Sequence, residues 1–171
     1  MCRDREFWMG RALAGLLLVF AAGCRCQSGM KAFDVHVTPQ FSNTGDAVTA
    51  PPVEVNLVGV NDADYEKWLS YPLNRYWSPR DPLRTSTKPF VMNFTHDDRQ
   101  TAVLKKDDPI WEQWKQQGAT HLFVIAFIPT INPPATDDPR RLEVTLDRCY
   151  WKSTSQLDFQ LFDDHVANVT R

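Results

Sequence analysis

Apolar and polar residues alternate along much of the chain beyond residue 32. In the sequence FDVHV, Phe33, Val35 and Val37 lie on one side of an extended chain and the polar residues on the other, which predicts a half-buried strand. The same period of two residues recurs in later segments and predicts further strands: PVEVNLVGV, FVMNFT, RLEVTLDRCYW and QLDFQLF.

Three other segments complete the predicted set of strands. THLFVIAFIP is strongly apolar, β-branched and aromatic, and Pro129 ends it, so we expect a central strand that is covered on both faces. QTAVLKK and VANVT each have the length of one short strand. The pattern therefore predicts seven or eight strands.

Two segments carry helix signals instead. Asn61 and Asp62 offer N-cap chemistry for a short helix in the sequence that follows them. Further along, Asp108 can cap a second helix, Pro109 suits its first position, and Gly118 suits its end. We therefore predict two short helical excursions.

Turns separate most of the predicted strands, and helices do not alternate regularly with them. This order is typical of an all-β protein with an antiparallel β-sandwich, which we predict over residues 33–171. The stretch YPLNRYWSPRDPLRTSTKP holds four prolines in nineteen residues, so we predict that it is irregular.

The first residues have the features of an export signal. Three arginines precede an apolar run from Leu13 to Ala22, and small residues follow it. A run of ten residues is too short for a membrane-spanning helix, which needs about 20. Residues 1–23 are therefore predicted to be a cleaved signal peptide.

The sequence AAGC at the end of this segment resembles the lipobox of bacterial lipoproteins, although Ala21 stands where leucine is commonest. The resemblance implies acylation of Cys24, cleavage before it, and a lipidated tether over residues 24–32. Arg25 resembles the outer-membrane default because an aspartate at that position signals retention in the inner membrane. The alternative is an ordinary signal peptide with an incidental cysteine.

Charge and cysteine content exclude some classes of function. The net charge is −2 and the basic residues are scattered, so no nucleic-acid partner is expected. The four cysteines and four histidines show no zinc spacing, and no metal or other cofactor is predicted. Cys26 and Cys149 have the option of pairing, which depends on their geometry.

No catalytic motif is present, so the chain is not predicted to be an enzyme and no small-molecule substrate is expected. The run His96, Asp97 and Asp98 is predicted to be a solvated turn, because adjacent residues of a strand point to opposite faces. Two other functions remain open. A lipid-anchored hydrolase requires His96 or His121 beside a carboxylate in a cleft. A glycan-binding module requires exposed, coplanar rings of Trp77, Trp111 or Trp114.

The order of these parts resembles the TssJ family, the outer-membrane lipoproteins of type VI secretion systems. The residues that carry the resemblance are Asn43 in the first loop and the segments FDVHV, PPVEVNLVGV, DADYEKWLSYPL, LFVIAFIP, LEVTLDRCYW and LDFQLF. The sequence departs from the family at LVGVN, in the helix DPIWEQWKQQG and in the longer stretch YWSPRDPLR. It is identified as a divergent member.

The resemblance implies a transthyretin-like sandwich that is anchored by its acyl chains to the outer membrane and faces the periplasm. It also implies a scaffold that binds the periplasmic domain of the large inner-membrane subunit of the secretion system. The loop that binds this partner in the family corresponds to Gln40–Pro52.

Six residues, four in that loop and two outside it, are predicted to take part in partner binding. Asn43, Thr44, Gly45 and Asp46 are the small polar residues of the loop, which could also be a plain connection. Trp77 and Arg80 are chemically better anchors, as is the nearby Arg84, or they pack and cap the sandwich instead. The other interpretation of the chain is a lipid-anchored sandwich that binds a glycan or another envelope ligand.

Overall fold

The structure is a computed structural model, and it describes residues 28–42, 52–95, 97–98, 100–128 and 137–171. Cys24 and residues 43–46, which the sequence singles out, lie outside the described residues, as does His96.

Eight strands and four short helices are present in the described part of the chain. The strands are β1 (Asp34–Pro39), β2 (Val53–Val60), β3 (Phe90–Phe94), β4 (Ala102–Leu104), β5 (His121–Ala126), β6 (Arg141–Thr145), β7 (Gln156–Leu161) and β8 (Val166–Asn168). The helices are α1 (Tyr65–Ser70), α2 (Leu73–Tyr76), α3 (Pro82–Thr87) and α4 (Pro109–Gln116).

The strands form two four-stranded sheets, with the orders β4-β1-β7-β8 and β3-β2-β5-β6. This confirms the predicted all-β sandwich, with one difference in the direction of pairing. β1 and β7 are parallel, in a register that runs from Asp34 opposite Gln156 to Pro39 opposite Leu161. Only strands joined by a tight hairpin must be antiparallel, and β1 and β7 are far apart in the chain, so their mutual direction is not fixed by a turn.

The main core lies between the two sheets. The inward-facing residues of β1 and β2 are completely or almost completely buried, as the alternation predicts: Phe33, Val35, Val37, Val53, Val55 and Leu57. Helix α4 closes this core at one end, where Trp111 and Trp114 pack edge to face with ring centroids 5.0 Å apart. The sandwich is therefore filled by aliphatic side chains in the middle and by indole rings at that end.

A second, smaller core covers the outer face of the second sheet. The connection between β2 and β3 contains α1, α2 and α3, and it buries Trp68, Leu73, Tyr76 and Leu83 against that sheet. β5 contributes residues to both cores in alternation, which confirms the prediction of a strand covered on both faces.

The prediction that the proline-rich stretch is irregular is wrong, because the stretch contains both α2 and α3. Pro82 occupies the first turn of α3, and the carboxylate of Asp81 accepts a hydrogen bond from the Arg84 backbone N–H at 3.0 Å. The predicted cap of α4 has the same form, with Asp108 accepting from the Ile110 N–H at 2.9 Å. Proline here starts the helix because it lacks only an N–H that would have no helical partner.

The described chain enters the sandwich at one end, and the end of β1 and the start of β2 lie at the other. At the tether end, the Lys31 N–H donates to the Leu146 carbonyl at 2.9 Å, and the Arg148 N–H donates to the Gly29 carbonyl at 3.0 Å. At the far end, β1 finishes and β2 begins, and the Ser42 N–H donates to the Asp163 carboxylate at 2.9 Å. β2 alone, with eight residues, separates the two ends by about 26 Å.

Cys149 lies at the tether end, directly after Arg148, and it is disulfide-bonded. The three other cysteines of the chain, Cys2, Cys24 and Cys26, lie outside the described residues. Pairing of Cys26 with Cys149 therefore stays a prediction.

Candidate partner-binding surface

Trp77 lies at the centre of an aromatic and basic group on the outer face of the second sheet. Its ring meets that of Phe127 at a centroid distance of 5.1 Å and that of Tyr76, edge to face, at 5.0 Å. The Arg84 guanidinium lies over the same indole, 5.0 Å from its centroid. We call Trp77, Arg80, Arg84 and Phe127 the aromatic–basic surface.

Backbone elements hold this surface in place. The Phe127 N–H donates to the Glu54 carbonyl at 2.7 Å, which fixes the residue after β5 to the start of β2. The Glu54 carboxylate also accepts from the Arg84 guanidinium at 2.7 Å. The surface therefore sits near the far end of the sandwich, on the side of the β1–β2 connection.

Two properties of the surface suit it to recognition. Phe127 remains 42% exposed although it is large and apolar. Among the described residues, the buried indole Nε1–H of Trp77 has no hydrogen-bond acceptor, and an unpaired buried donor costs free energy. Tryptophan and arginine are also the residue types that most often dominate the energy of an interface.

Arg80 lies beside the Trp77 group, at a bend of the chain. It is exposed, and its φ of 65° is the left-handed conformation that few non-glycine residues adopt. Arg80 and Arg84 line an open hollow together with Val91, which is itself 44% exposed. The structure thus brings Trp77 and Arg80, the two predicted anchors that it describes, to one region.

The sequence analysis missed Phe127 and Glu54. The signal for Phe127 was present, because Phe123, Ile125 and Phe127 alternate along one face of the β5 segment. Glu54 lies on the polar side of the alternating segment PVEVNLVGV, which by itself indicates only a solvated strand face. Its role depends on the helical excursion folding back over β2, which no local pattern shows.

A buried polar pair supports Tyr76 directly beneath Trp77. The Asn56 amide donates to the Tyr76 hydroxyl at 3.0 Å, and both residues are fully buried. Burial raises the pKa of Tyr76 to about 12, although the hydrogen bond from Asn56 acts in the opposite direction. The phenol therefore stays neutral, and the pair fixes α2 against β2 without placing a charge in the core.

His121 has carboxylate neighbours, which the alternative of a lipid-anchored hydrolase requires. Its Nδ1 lies 2.5 Å from the Glu143 carboxylate, and its Nε2 lies 3.3 Å from that of Asp62. The Thr120 hydroxyl, however, donates to Asp62 and not to the imidazole. A nucleophile activated by a base needs a hydrogen bond to that base, and this cluster provides none among the described residues.

The tryptophans of α4 do not form a glycan platform. Trp111 and Trp114 are only 3% and 2% exposed, and their rings are nearly perpendicular, at 86°. The glycan interpretation is therefore wrong for these two residues, which are part of the main core. Trp77, the third ring, packs edge to face on Tyr76.

The described residues contain neither a metal-binding group of side chains nor a membrane-spanning helix. No three histidine, cysteine, aspartate or glutamate side chains there are grouped so that they could hold a metal ion. Among the same residues, no helix has the length and hydrophobicity to span a membrane.

The fold places the protein in the class of two-sheet β-sandwiches, with a helical cap on one outer face.

No protein-family profile matches the chain, and no curated protein sequence is significantly similar to it. Solved structures do match. The C-terminal domain of the type VI secretion protein TssM from EAEC has a TM-score of 0.53 and 11% identity, over 80% of this chain and 99% of that one.

Two lipoproteins also match. The type VI secretion lipoprotein TssJ1 from Pseudomonas aeruginosa has a TM-score of 0.46 and 14% identity, over 82% of this chain and 97% of that one. Lip from Serratia marcescens, a membrane-bound component of a type VI secretion system, has a TM-score of 0.49 and 10% identity, over 82% and 99%. At the level of the fold, the similarity to TssM confirms the resemblance to type VI secretion proteins that the sequence predicts.

Proposed function

We propose that the chain is a lipid-anchored scaffold of a type VI secretion membrane complex. It hangs from the outer membrane into the periplasm through acyl chains on Cys24, and it binds the periplasmic domain of the large inner-membrane subunit. No catalytic step, metal or other cofactor takes part in this function.

The observation that carries the proposal is that residues 29–31 and Phe127 lie at opposite ends of the sandwich. The chain enters beside Leu146 and Arg148, whereas Phe127 and the ends of the β1–β2 connection lie at the far end, about 26 Å away along β2. A domain held at one end and equipped for binding at the other is suited to bridging two layers of an envelope.

The anchor follows from the first residues of the sequence. Residues 1–23 are the signal peptide that is removed, residues 24–32 are the tether, and residues 33–171 are the sandwich. Each methylene group of an acyl chain buried in the membrane contributes about 0.8 kcal/mol, and one chain alone gives only marginal anchoring. Several chains on Cys24 therefore hold the protein permanently in the membrane.

The binding face combines the aromatic–basic surface with the β1–β2 loop. Trp77 and Phe127 supply the apolar contact area, and Arg80 supplies charge at the edge. Asn43, Thr44, Gly45 and Asp46 of the loop add small polar groups for hydrogen bonds. The proposed partner is the periplasmic domain of the large inner-membrane subunit of the secretion system.

The anchor is tested with the variant Cys24→Ser. Expressed from its full-length gene in a Gram-negative host, the wild-type protein is expected in the membrane pellet, with acyl chains visible in its intact mass. The serine variant is expected in the soluble periplasmic fraction, because no thiol is present for acylation. Cys26→Ser is the matched control and should stay in the membrane. Soluble wild-type protein without acyl chains would refute the anchor.

Partner binding is tested with the double variant Trp77→Ala/Phe127→Ala. Lipidated protein in nanodiscs is immobilised, and the binding of the partner's periplasmic domain is measured by biolayer interferometry. We expect the dissociation constant to rise about 30-fold or more, as hot-spot residues typically require. Leu69→Ala/Val169→Ala is the control, because both residues are exposed and apolar and neither belongs to the surface. Equal affinity of both variants would exclude this surface as the interface.

A further inference from the structure

The turn between β6 and β7 carries an exposed aromatic residue between two cations. Tyr150 is 70% exposed, the largest exposure among the large hydrophobic residues described. Arg148 and Lys152 flank it and are exposed as well. Asp147, the one acidic residue of this turn, is half-buried, and its carboxylate accepts a hydrogen bond from the Cys149 N–H at 2.9 Å. We call residues 147–152 the tether turn.

Hydrogen bonds define the tether turn and hold it to the incoming chain. The N–H groups of Tyr150 and Trp151 donate to the Asp147 carbonyl at 3.1 and 3.2 Å, and the Trp151 indole donates to the Thr145 carbonyl at 2.7 Å. The Arg148 N–H donates to the Gly29 carbonyl at 3.0 Å. The exposure of Tyr150 is therefore a property of an ordered turn that is fixed to the tether.

Chain length places this turn close to the proposed lipid anchor. Five residue steps separate Cys24 from Gly29, and even a fully extended chain spans no more than about 18 Å over that distance. The tether turn is bonded to Gly29, so it cannot move far from the membrane surface. An aromatic ring with a polar hydroxyl, flanked by lysine and arginine, is the composition found at membrane interfaces.

We propose that the tether turn docks on the phospholipid headgroups of the membrane that holds Cys24, and that a disulfide between Cys26 and Cys149 keeps it there. This inference rests on the lipid anchor in the proposed function. Cys149 is disulfide-bonded. Of the other cysteines, Cys2 leaves with the signal peptide and the thiol of Cys24 is consumed by acylation, so Cys26 is the partner that remains in the mature chain.

The disulfide shortens the tether decisively. Only two residue steps separate Cys24 from Cys26, a reach of about 7 Å. The disulfide adds about 6 Å between the two Cα atoms, so Cys149 lies within about 13 Å of the anchored residue. From there the long side chains of Arg148 and Lys152 reach toward the anionic headgroups. The sandwich is thereby fixed in orientation, with its aromatic–basic surface pointing away from the membrane.

Hydrogen exchange tests the docking. Full-length protein, processed and lipidated in cells, is compared in nanodiscs of phosphatidylethanolamine and phosphatidylglycerol and in a non-ionic detergent. We expect exchange of the peptide covering residues 147–154 to be at least about fivefold slower in the nanodiscs, with no change over residues 162–165 at the far end. Arg148→Glu/Lys152→Glu should abolish the difference. Lys67→Glu/Lys88→Glu, an equal charge change at exposed sites, should not.

Tryptic mapping without reduction tests the disulfide. Cleavage after Arg25 and Arg148 releases the peptides CQSGMK and CYWK, which we expect to be recovered as one linked pair. Recovery of the free CYWK peptide, or of CYWK linked to Cys24, would overturn the pairing.

Different results would refute the lipid anchor and the docking of the tether turn. Equal exchange of residues 147–154 in nanodiscs and detergent, with acyl chains present on Cys24, would overturn the docking and leave the anchor intact. Protection of residues 162–165 instead of the tether turn would overturn it too. Absence of acyl chains would refute the anchor itself. Protection that appears only when the partner protein is added would assign the turn to a protein interface and overturn lipid docking.

Discussion

Replacement of Arg140 by alanine is expected to lower the free energy of unfolding by about 3–5 kcal/mol. The Arg140 guanidinium donates to both oxygens of the Asp138 carboxylate, from Nε at 2.9 Å and from the terminal nitrogen at 2.7 Å. It also donates to the Asn74 side chain at 2.9 Å. Asp138 and Arg140 are both buried, so Arg140→Ala leaves a carboxylate in the protein interior without its counter-charge.

The control for this prediction removes both charges. Asp138→Asn/Arg140→Met keeps much of the volume and leaves no buried ion, so it is expected to recover most of the lost stability. Urea unfolding followed by tryptophan fluorescence measures all three proteins. A loss below about 1 kcal/mol for Arg140→Ala would show that the pair is solvated and does not lock the helical excursion to β6.

Acid should reduce the effect of the Arg140→Ala substitution. Burial raises the pKa of Asp138, but the hydrogen bonds from Arg140 and the charges of Arg140 and Arg141 outweigh it and hold the pKa below its usual value. The ionised carboxylate therefore stabilises the fold above its unfolded-state pKa of about 3.9, and this contribution is lost as the pH falls through the lower folded-state pKa. We expect the gap between wild type and variant to narrow below about pH 4, measured by urea unfolding at several pH values.

Local sequence signals predicted the strands because each strand has one or two buried faces, and burial leaves a period of two in the sequence. The cap of α4 was predictable because Asp108, Pro109 and Gly118 each act within the helix itself. α3 begins with the same Asp-Pro pair at Asp81 and Pro82, but the density of prolines around it favoured an irregular loop. Proline can therefore start a helix as well as interrupt one, and its position relative to the first turn decides between the two.

Features that depend on register or on distant pairing were not predictable. The parallel pairing of β1 with β7 joins segments that no hairpin connects. The contact of His121 with Glu143 depends on the register between β5 and β6, and a slip of one residue would place the two side chains on opposite faces. Trp77 was singled out for its residue type, but its neighbours Phe127 and Arg84 became visible only once the excursion folded over the sheet.

A single methyl group added at Gly59 is expected to destabilise the fold through a direct steric clash. Gly59 lies in β2, opposite Leu122 of β5, and Trp114 of α4 packs on it. A β-carbon at this position would lie 2.5 Å from the nearest ring atom of Trp114 and 2.8 Å from its Cβ. Such distances are impossible for carbon atoms, so β2 or α4 must move. The Trp114 side chain has no free space, because it is 2% exposed and packs on Trp111.

We therefore expect Gly59→Ala to cost about 1–3 kcal/mol and Gly59→Val more than Gly59→Ala, as overpacked cores do. Far-UV circular dichroism during urea unfolding measures the change without relying on tryptophan signals. Trp114→Leu is destabilising by itself, but in that background Gly59→Ala should cost little, because the colliding ring is gone and the two sites are coupled. An additive result would mean that the cost comes from the strand and not from the ring. Wild-type stability of Gly59→Ala would show that α4 does not press on β2 at this point.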